Sequence, residues 1–409
     1  MKKYILCFIA GLLTFAMQAI TKPGIETLRD NGFKQLEGKR VGLITNPTGV
    51  DNNLKSTIDI LHEAPNVELV ALFGPEHGVR GDVHAGDKVG NSVDSATGVK
   101  VYSLYGKTRK PTKEMLEGID VLVYDIQDIG CRSFTFISTM GVAMEACIEN
   151  DIEFMVLDRP NPLGGNKVEG NIVEPGFVSF VSQFPIPYVY GLTPGELAIL
   201  LNEEGMIKKG EKAKLTVIPM TGWNRDMVYA ETGMPWILPS PHIPQIESSY
   251  YYPASGILGE LGYLSIGVGY TLPFQLYCAP WIEAEKFCNN LNSLELPGIK
   301  FRPIHIKPFY STGQGENYQG VQVYITDLES ANLSLTQFYV MQVLAEMYPD
   351  HKTFEHANKE RFSMFDKVCG SDKIRTEFAK NYRVSDIIEY WNKDVESFKA
   401  MSAKYYLYE

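Results

Sequence analysis

Residues 67–81 read VELVALFGPEHGVRG, and the parsing of this stretch decides the fold. Val67 to Phe73 is an apolar run with β-branched members, the pattern of a strand buried on both faces of a parallel sheet. Gly74-Pro75 ends it. Glu76, His77 and Arg80 follow, interleaved with Gly78 and Gly81, which let the backbone turn tightly and approach a ligand. An acid, an imidazole and a guanidinium therefore stand at the carboxyl end of a buried strand. In open α/β sheets ligands bind there. The plainer alternative is a strand-end turn whose charges are solvated or paired with one another.

Outward from this stretch the chain alternates strand and helix. KRVGLITN (39–46) predicts a strand and STIDILHEA (56–64) a helix on the amino-terminal side. On the other side, VYSLYG (101–106), DVLVYDIQDIG (120–130), IEFMVLDRPNP (152–162) and KLTVIPM (214–220) predict strands. A short helix is expected over 112–118, a longer one over TFISTMGVAMEACIEN (135–150), and a third over TPGELAILLNEEG (193–205), opened by a Thr cap and a Pro. This alternation implies an α/β domain with a Rossmann-like parallel sheet. The first turn, ITNPTGVDN, is not a G-x-G-x-x-G, and the chain has no Walker loop, so no cofactor is expected.

The character changes after about residue 222. WILPSPHIP (236–244) is too broken for regular structure and reads as a domain crossing or a cleft wall. A glycine- and aromatic-rich stretch follows. Helices are then expected over 282–294 and 334–349, antiparallel strands over 299–310 and 318–327, and two more helical stretches beyond Val384. The expected organisation is a leader over 1–20, a Rossmann-like domain over 21–222 and a smaller mixed α+β domain over 223–409.

The 409 residues carry a formal net charge of −11, which argues against a nucleic-acid partner. MKKYILCFIAGLLTFAMQA has the positive start, apolar stretch and small residues of a secretory signal peptide. The protein is therefore expected to be exported, to the periplasm or beyond, with no membrane span after leader removal. The other cysteines, Cys131, Cys147, Cys278, Cys288 and Cys369, show no metal or redox spacing and read as buried small hydrophobes.

Several strands end in polar clusters. One ends at Asn46, one in Asp125, Gln127 and Asp128 with Arg132 beyond, and one in Asp158, Arg159 and Asn161. Neighbouring strand ends in a parallel sheet would bring these groups, with Glu76, His77 and Arg80, around one crevice. Each acid alone reads as a cap or loop residue; their coincidence points to a site. Carboxylates in a sugar-sized cleft suit glycoside hydrolysis. Glu76 is the leading acid, and Asp125, Asp128 and Asp158 are possible partners. His77, Asp82, His84 and Asp87 cluster, but at no standard zinc spacing, so no metal is expected. There is no G-x-S-x-G elbow, and Ser240 reads as a loop residue.

At FGPEHGVRG the chain resembles the bacterial exo-β-N-acetylmuramidases, NamZ-type glycoside hydrolases formerly grouped as a domain of unknown function. The resemblance continues through LITNPTGVD, DVLVYDIQDIG, VLDRPNPLGG, PIPYVYGLTPGELA and TGMPWILPSP, and resumes at PFQLYCAPWI. It runs from about Gly24 to the last residue. It implies an enzyme of cell-wall turnover that releases β-1,4-linked N-acetylmuramic acid from non-reducing ends, with a Rossmann-like domain, a smaller second domain and the site between them. It implies Glu76 as acid/base, and it sets His242 and Glu260 among the substrate-facing residues. The substrate carries a lactyl carboxylate, which Arg80, Arg132 or Arg159 could grip bidentately. The chain departs from the family pattern where Ile266 and Val268 replace an expected Glu and Arg. A non-catalytic or altered-specificity muropeptide-binding protein is therefore the alternative expectation.

Overall fold

The computed structural model describes residues 20–76, 78–81 and 92–409. The leader apart from Ile20, His77, and Asp82, His84 and Asp87 of the considered metal cluster lie outside the described residues.

The first domain begins with α1 (Gly24–Asp30), β1 (Arg40–Thr45), α2 (Thr57–Glu63) and β2 (Glu68–Gly74). It continues through β3 (Ser92–Val93), β4 (Lys100–Ser103), β5 (Val121–Asp125), α3 (Phe136–Asn150) and β6 (Glu153–Leu157). A short antiparallel pair, β7 (Val168–Glu169) with β8 (Val189–Tyr190), precedes α4 (Pro194–Glu203) and β9 (Lys214–Ile218). Among the described residues the main sheet has the order β3-β4-β2-β1-β5-β6-β9, parallel except for the β3–β4 edge. Along β5, Val121 and Val123 face α1 and α2, while Leu122 and Tyr124 face α3 and α4. Side chains alternate across a strand, so full burial on both faces requires the unbroken apolar runs seen in the sequence. Residues 112–118 form turns, not the expected short helix.

The helices start where the chain supplies a cap. The Ser56 hydroxyl accepts from the Ile58 amide ahead of α2. The Thr193 hydroxyl accepts from the Glu196 amide while the Glu196 carboxylate accepts from the Thr193 amide, closing a capping box on α4.

The second domain contains α5 (Ile246–Gly259), β10 (Leu276–Ala279), α6 (Ala284–Asn292), β11 (Ile299–Ile306), β12 (Tyr318–Ile325) and α7 (Leu333–Met347), followed by short helices. Its sheet is antiparallel, in the order β10-β12-β11. The glycine- and aromatic-rich stretch that shows no clear pattern in the sequence holds α5, which contains Pro253 and packs on α7.

The domains share one core. Ile129, Cys131, Tyr188 and Val189 of the first pack in the same apolar cluster as Phe338, Phe365 and Trp391 of the second. The chain also returns to the first domain at its far end. Tyr406 lies under the Arg225 guanidinium at 3.3 Å. The Leu407 amide donates to Glu196 (3.0 Å), and the Tyr408 hydroxyl donates to Asp158 (2.6 Å).

Candidate active site

Glu76 leaves the sheet two residues past β2. β2 and β4 are parallel neighbours with Gly74 opposite Ser103, and the Leu104 amide donates to the Gly74 carbonyl at 2.8 Å. The two strands thus release their chains side by side, which sets Tyr105 against Glu76. Burial, then the Glu76 charge and a hydrogen bond to that carboxylate, raise the Tyr105 pKa.

Glu76 is half-buried and lines a cavity of about 310 Å³ together with Ser133, Phe134, His242, Tyr252 and Glu260. An adjoining chamber of about 370 Å³ shares His242, Tyr252, Glu260 and Phe274, and adds Ile266, Val268 and Arg361. One wall is the turn after β2 and the start of α3. The other is α5 and the segment after it. The broken WILPSPHIP segment supplies Ser240, His242 and Ile243, as a cleft wall. The His242 ring stacks on Tyr310 with centroids 6.1 Å apart.

Glu260 ends α5. Its amide donates to the carbonyls of Gly256 and Ile257, so its carboxyl stands at the negative end of the helix. Burial lifts the Glu260 pKa above the usual carboxylate range, with the Arg361 charge opposing. The Arg361 Nε donates to the Glu260 carbonyl. The apolar Ile266 packs against Gly259, where a Cβ would meet its side chain.

The other strand-end groups lie elsewhere, which corrects the expectation of a common crevice. Asp125 is buried and ion-paired with Arg159 at 2.5 Å, and it accepts from Thr57. Arg159 spends its second edge on Asp125 and the Val50 carbonyl. Asp158 accepts from the Gly195 amide (2.7 Å), Thr193 (2.7 Å) and Tyr408, so it caps α4. Burial pushes its carboxyl up to about 7. Asp128 is buried against the Tyr190 hydroxyl and the Gly130 amide, and burial raises it to about 7 as well. Neither Asp125 nor Asp158 lines the Glu76 cavity.

Gln127 donates to the Asp128 and Pro160 carbonyls, Asn161 to the Leu192 carbonyl, and Asn46 accepts from Thr48. Arg132 is buried and donates to Ser182 and to the carbonyls of Asn171, Ile186 and Val368, joining the domains. Arg80 bridges Asp94 (2.6 Å) and Asp59 (2.9 Å), and the pairing holds Asp94 down to about 2. The three arginines expected to clamp a carboxylate are thus engaged within the protein.

The physical reason is topological. The chain runs from β1 outward to β2 and β4, then crosses to β5 on the other side of β1. The switch point between β1 and β5 is the expected ligand crevice. Here it is filled by Thr45, Thr48, Gln127 and Arg159. The cavity left beside Thr48, Gln127 and Arg159 measures about 10 Å³, too small for a sugar. The open cleft lies instead between Glu76, past β2, and the Ser133–Phe136 segment that opens α3. Tyr105, Ser133, Phe134, Tyr252, Phe274 and Arg361 were not singled out from the sequence. For Tyr105 a cue exists: VYSLYG is the strand that pairs beside β2.

Fold and cleft together define an α/β protein of two domains whose cavity holds two carboxyl groups, the equipment of a glycoside hydrolase. Family models described as "Exo-beta-N-acetylmuramidase NamZ, N-terminal" and "C-terminal" match residues 41–247 and 250–408, and the chain belongs to this family. It is 46% identical, over the full length of both chains, to the peptidoglycan beta-N-acetylmuramidase NamZ of Bacillus subtilis (strain 168). Two DUF1343 family crystal structures from Bacteroides fragilis NCTC 9343 are similar. The first is 64% identical with a TM-score of 0.92, covering 95% of this chain and 99% of that one. The second is 29% identical with a TM-score of 0.76, covering 96% and 99%.

Proposed function

We propose that this chain is an exo-acting glycoside hydrolase that releases β-1,4-linked N-acetylmuramic acid from the non-reducing end of peptidoglycan fragments. The observation that carries the reading is Glu76 and Glu260 lining one cavity, in a chain of this family. Glu76 is the acid that protonates the glycosidic oxygen as the bond breaks. Tyr105 is its orienting neighbour, tying a side chain on a turn to the end of β4. Glu260 is the second carboxyl, facing the same sugar. Apolar walls from Phe134, Phe274 and Ile266 exclude water and strengthen the electrostatics inside.

The lactyl carboxylate needs a cation. Among the described residues lining the two chambers, Arg361 is the one guanidinium. We assign it the role first expected of Arg80, Arg132 or Arg159. Export on the amino-terminal leader, and cell-wall turnover in the periplasm, complete the reading. They rest on the sequence of residues 1–20 and on the substrate class.

Incubation with N-acetylmuramyl-N-acetylglucosamine, following free N-acetylmuramic acid, tests the proposal. Glu76→Gln should lower release by about 10²–10⁴-fold with an unchanged circular dichroism spectrum and melting temperature. Comparable turnover by that variant removes Glu76 from the mechanism. The apolar Ile266 and Val268 favour the second reading, a binding protein. Saturable binding of the disaccharide with no release by the unmutated chain establishes it.

A further inference from the structure

A second hollow, of about 580 Å³, lies outside the cleft and is bordered by Tyr270, His305, Lys307, Phe309 and Tyr318. Phe309 is 66% exposed. Its ring stacks on Tyr270, with centroids 5.8 Å apart and planes 20° apart. The exposed Phe309 and the half-buried Tyr270 thus form one contiguous aromatic surface, the kind of feature that marks an interaction site. The arrangement is built. The Phe309 amide donates to the Gly269 carbonyl at 2.7 Å. Gly269 has a φ of 92°, and a Cβ there would strike the Tyr310 carbonyl.

The same two segments form both the outer hollow and the cleft. Ile266 and Val268 line the inner chamber, and Tyr270 lines the outer hollow. Ser311 and Thr312 line the inner chamber, and Phe309 lines the outer hollow. Between them Tyr310 stacks on His242, which faces the Glu76 cavity. The two spaces are therefore the two sides of one rim. An enzyme that removes a terminal sugar seats that sugar in an enclosed chamber, and the remaining chain must leave across the rim.

We propose that the Tyr270–Phe309 pair is a glycan-binding platform that holds the part of the substrate beyond the first sugar past the scissile bond. The apolar C–H face of an N-acetylhexosamine ring stacks on an aromatic face. The exposed Lys307 and His305 stand beside it, suited to the carboxylates that muramyl residues and their peptides carry. The inference rests on the proposed hydrolase function for its substrate class, but binding is read without turnover.

The binding arm uses a tetramer of β-1,4-linked N-acetylglucosamine, which has no muramyl bond to cleave, titrated into the full chain by calorimetry. Phe309→Ala and Tyr270→Leu should each weaken binding by about five- to ten-fold. Unchanged affinity in both variants overturns the platform, whatever the enzymatic result. The kinetic arm compares a muramyl-terminated tetrasaccharide with the corresponding disaccharide. Phe309→Ala should raise KM for the longer substrate about five-fold and leave kcat/KM for the disaccharide within two-fold. An equal effect on both substrates overturns the proposal and makes Phe309 a support of the cleft. If neither substrate is turned over by the unmutated chain, the hydrolase reading fails while the titration still decides the platform.

Discussion

At the scale of single residues, a carboxylate at a strand end has two uses. Asp158 caps α4 and Asp125 neutralises Arg159, whereas Glu76 faces a cavity. Arg159→Leu should leave Asp125 charged, buried and uncompensated. The expected loss is about 3–5 kcal/mol in urea unfolding, with little change in KM for whatever folds. An increase in KM without loss of stability would return Arg159 to the binding site. Local sequence could not separate these uses, because all three acids follow apolar strands. The distinguishing fact is which segment folds back over each tip. For Asp158 that segment is Thr193 to Gly195 together with Tyr408, far along the chain. Glu76 was legible for a different reason: the glycines flanking its turn leave room around it, and the GPEHG motif carries a family resemblance.

At the scale of elements, the parallel strands were legible because burial on both faces demands unbroken apolar runs. β11 and β12 were legible by their alternation. α5 was hidden because it lies in a glycine- and aromatic-rich stretch and contains Pro253, yet tertiary packing on α7 holds it helical. Its end delivers Glu260, so missing the helix meant missing how the second carboxyl reaches the cleft. The rim after α5 depends on backbone that only glycine adopts readily. Gly269→Ala combines a positive φ with a clash against the Tyr310 carbonyl, and should cost about 1–3 kcal/mol, read as a lower melting temperature. Full stability in that variant would mean that the rim relaxes freely.

At the scale of the whole molecule, the shared core makes the two domains one unit, with Tyr188 against Trp391 at 6.0 Å and Arg132 reaching the Val368 carbonyl. Two buried acids, Asp128 near this junction and Asp158 at the cap of α4, set a pH dependence. Asp128 and Asp158 are each raised to about 7 by burial. Between the unfolded carboxylate range and pH 7 the folded state therefore holds protons that the unfolded chain has released. Their contribution is present at low pH and is lost as pH rises through that window, then levels off. Stability measured in urea at pH 5, 6, 7 and 8 should fall up to pH 7, at most about 1.4 kcal/mol per unit for each group. Asp128→Asn and Asp158→Asn together should flatten the profile; an unchanged slope would assign it to other residues.

The return of the chain to α4 has one more consequence. A ribosome makes residues 406–409 after everything they touch, so Asp158 and Glu196 wait without Tyr408 and the Leu407 amide until that segment has been made. The sheet that presents Glu76 is thus sealed by a segment made long after its strands. A chain cut before residue 406 is unlatched, although every described residue of the cleft is present.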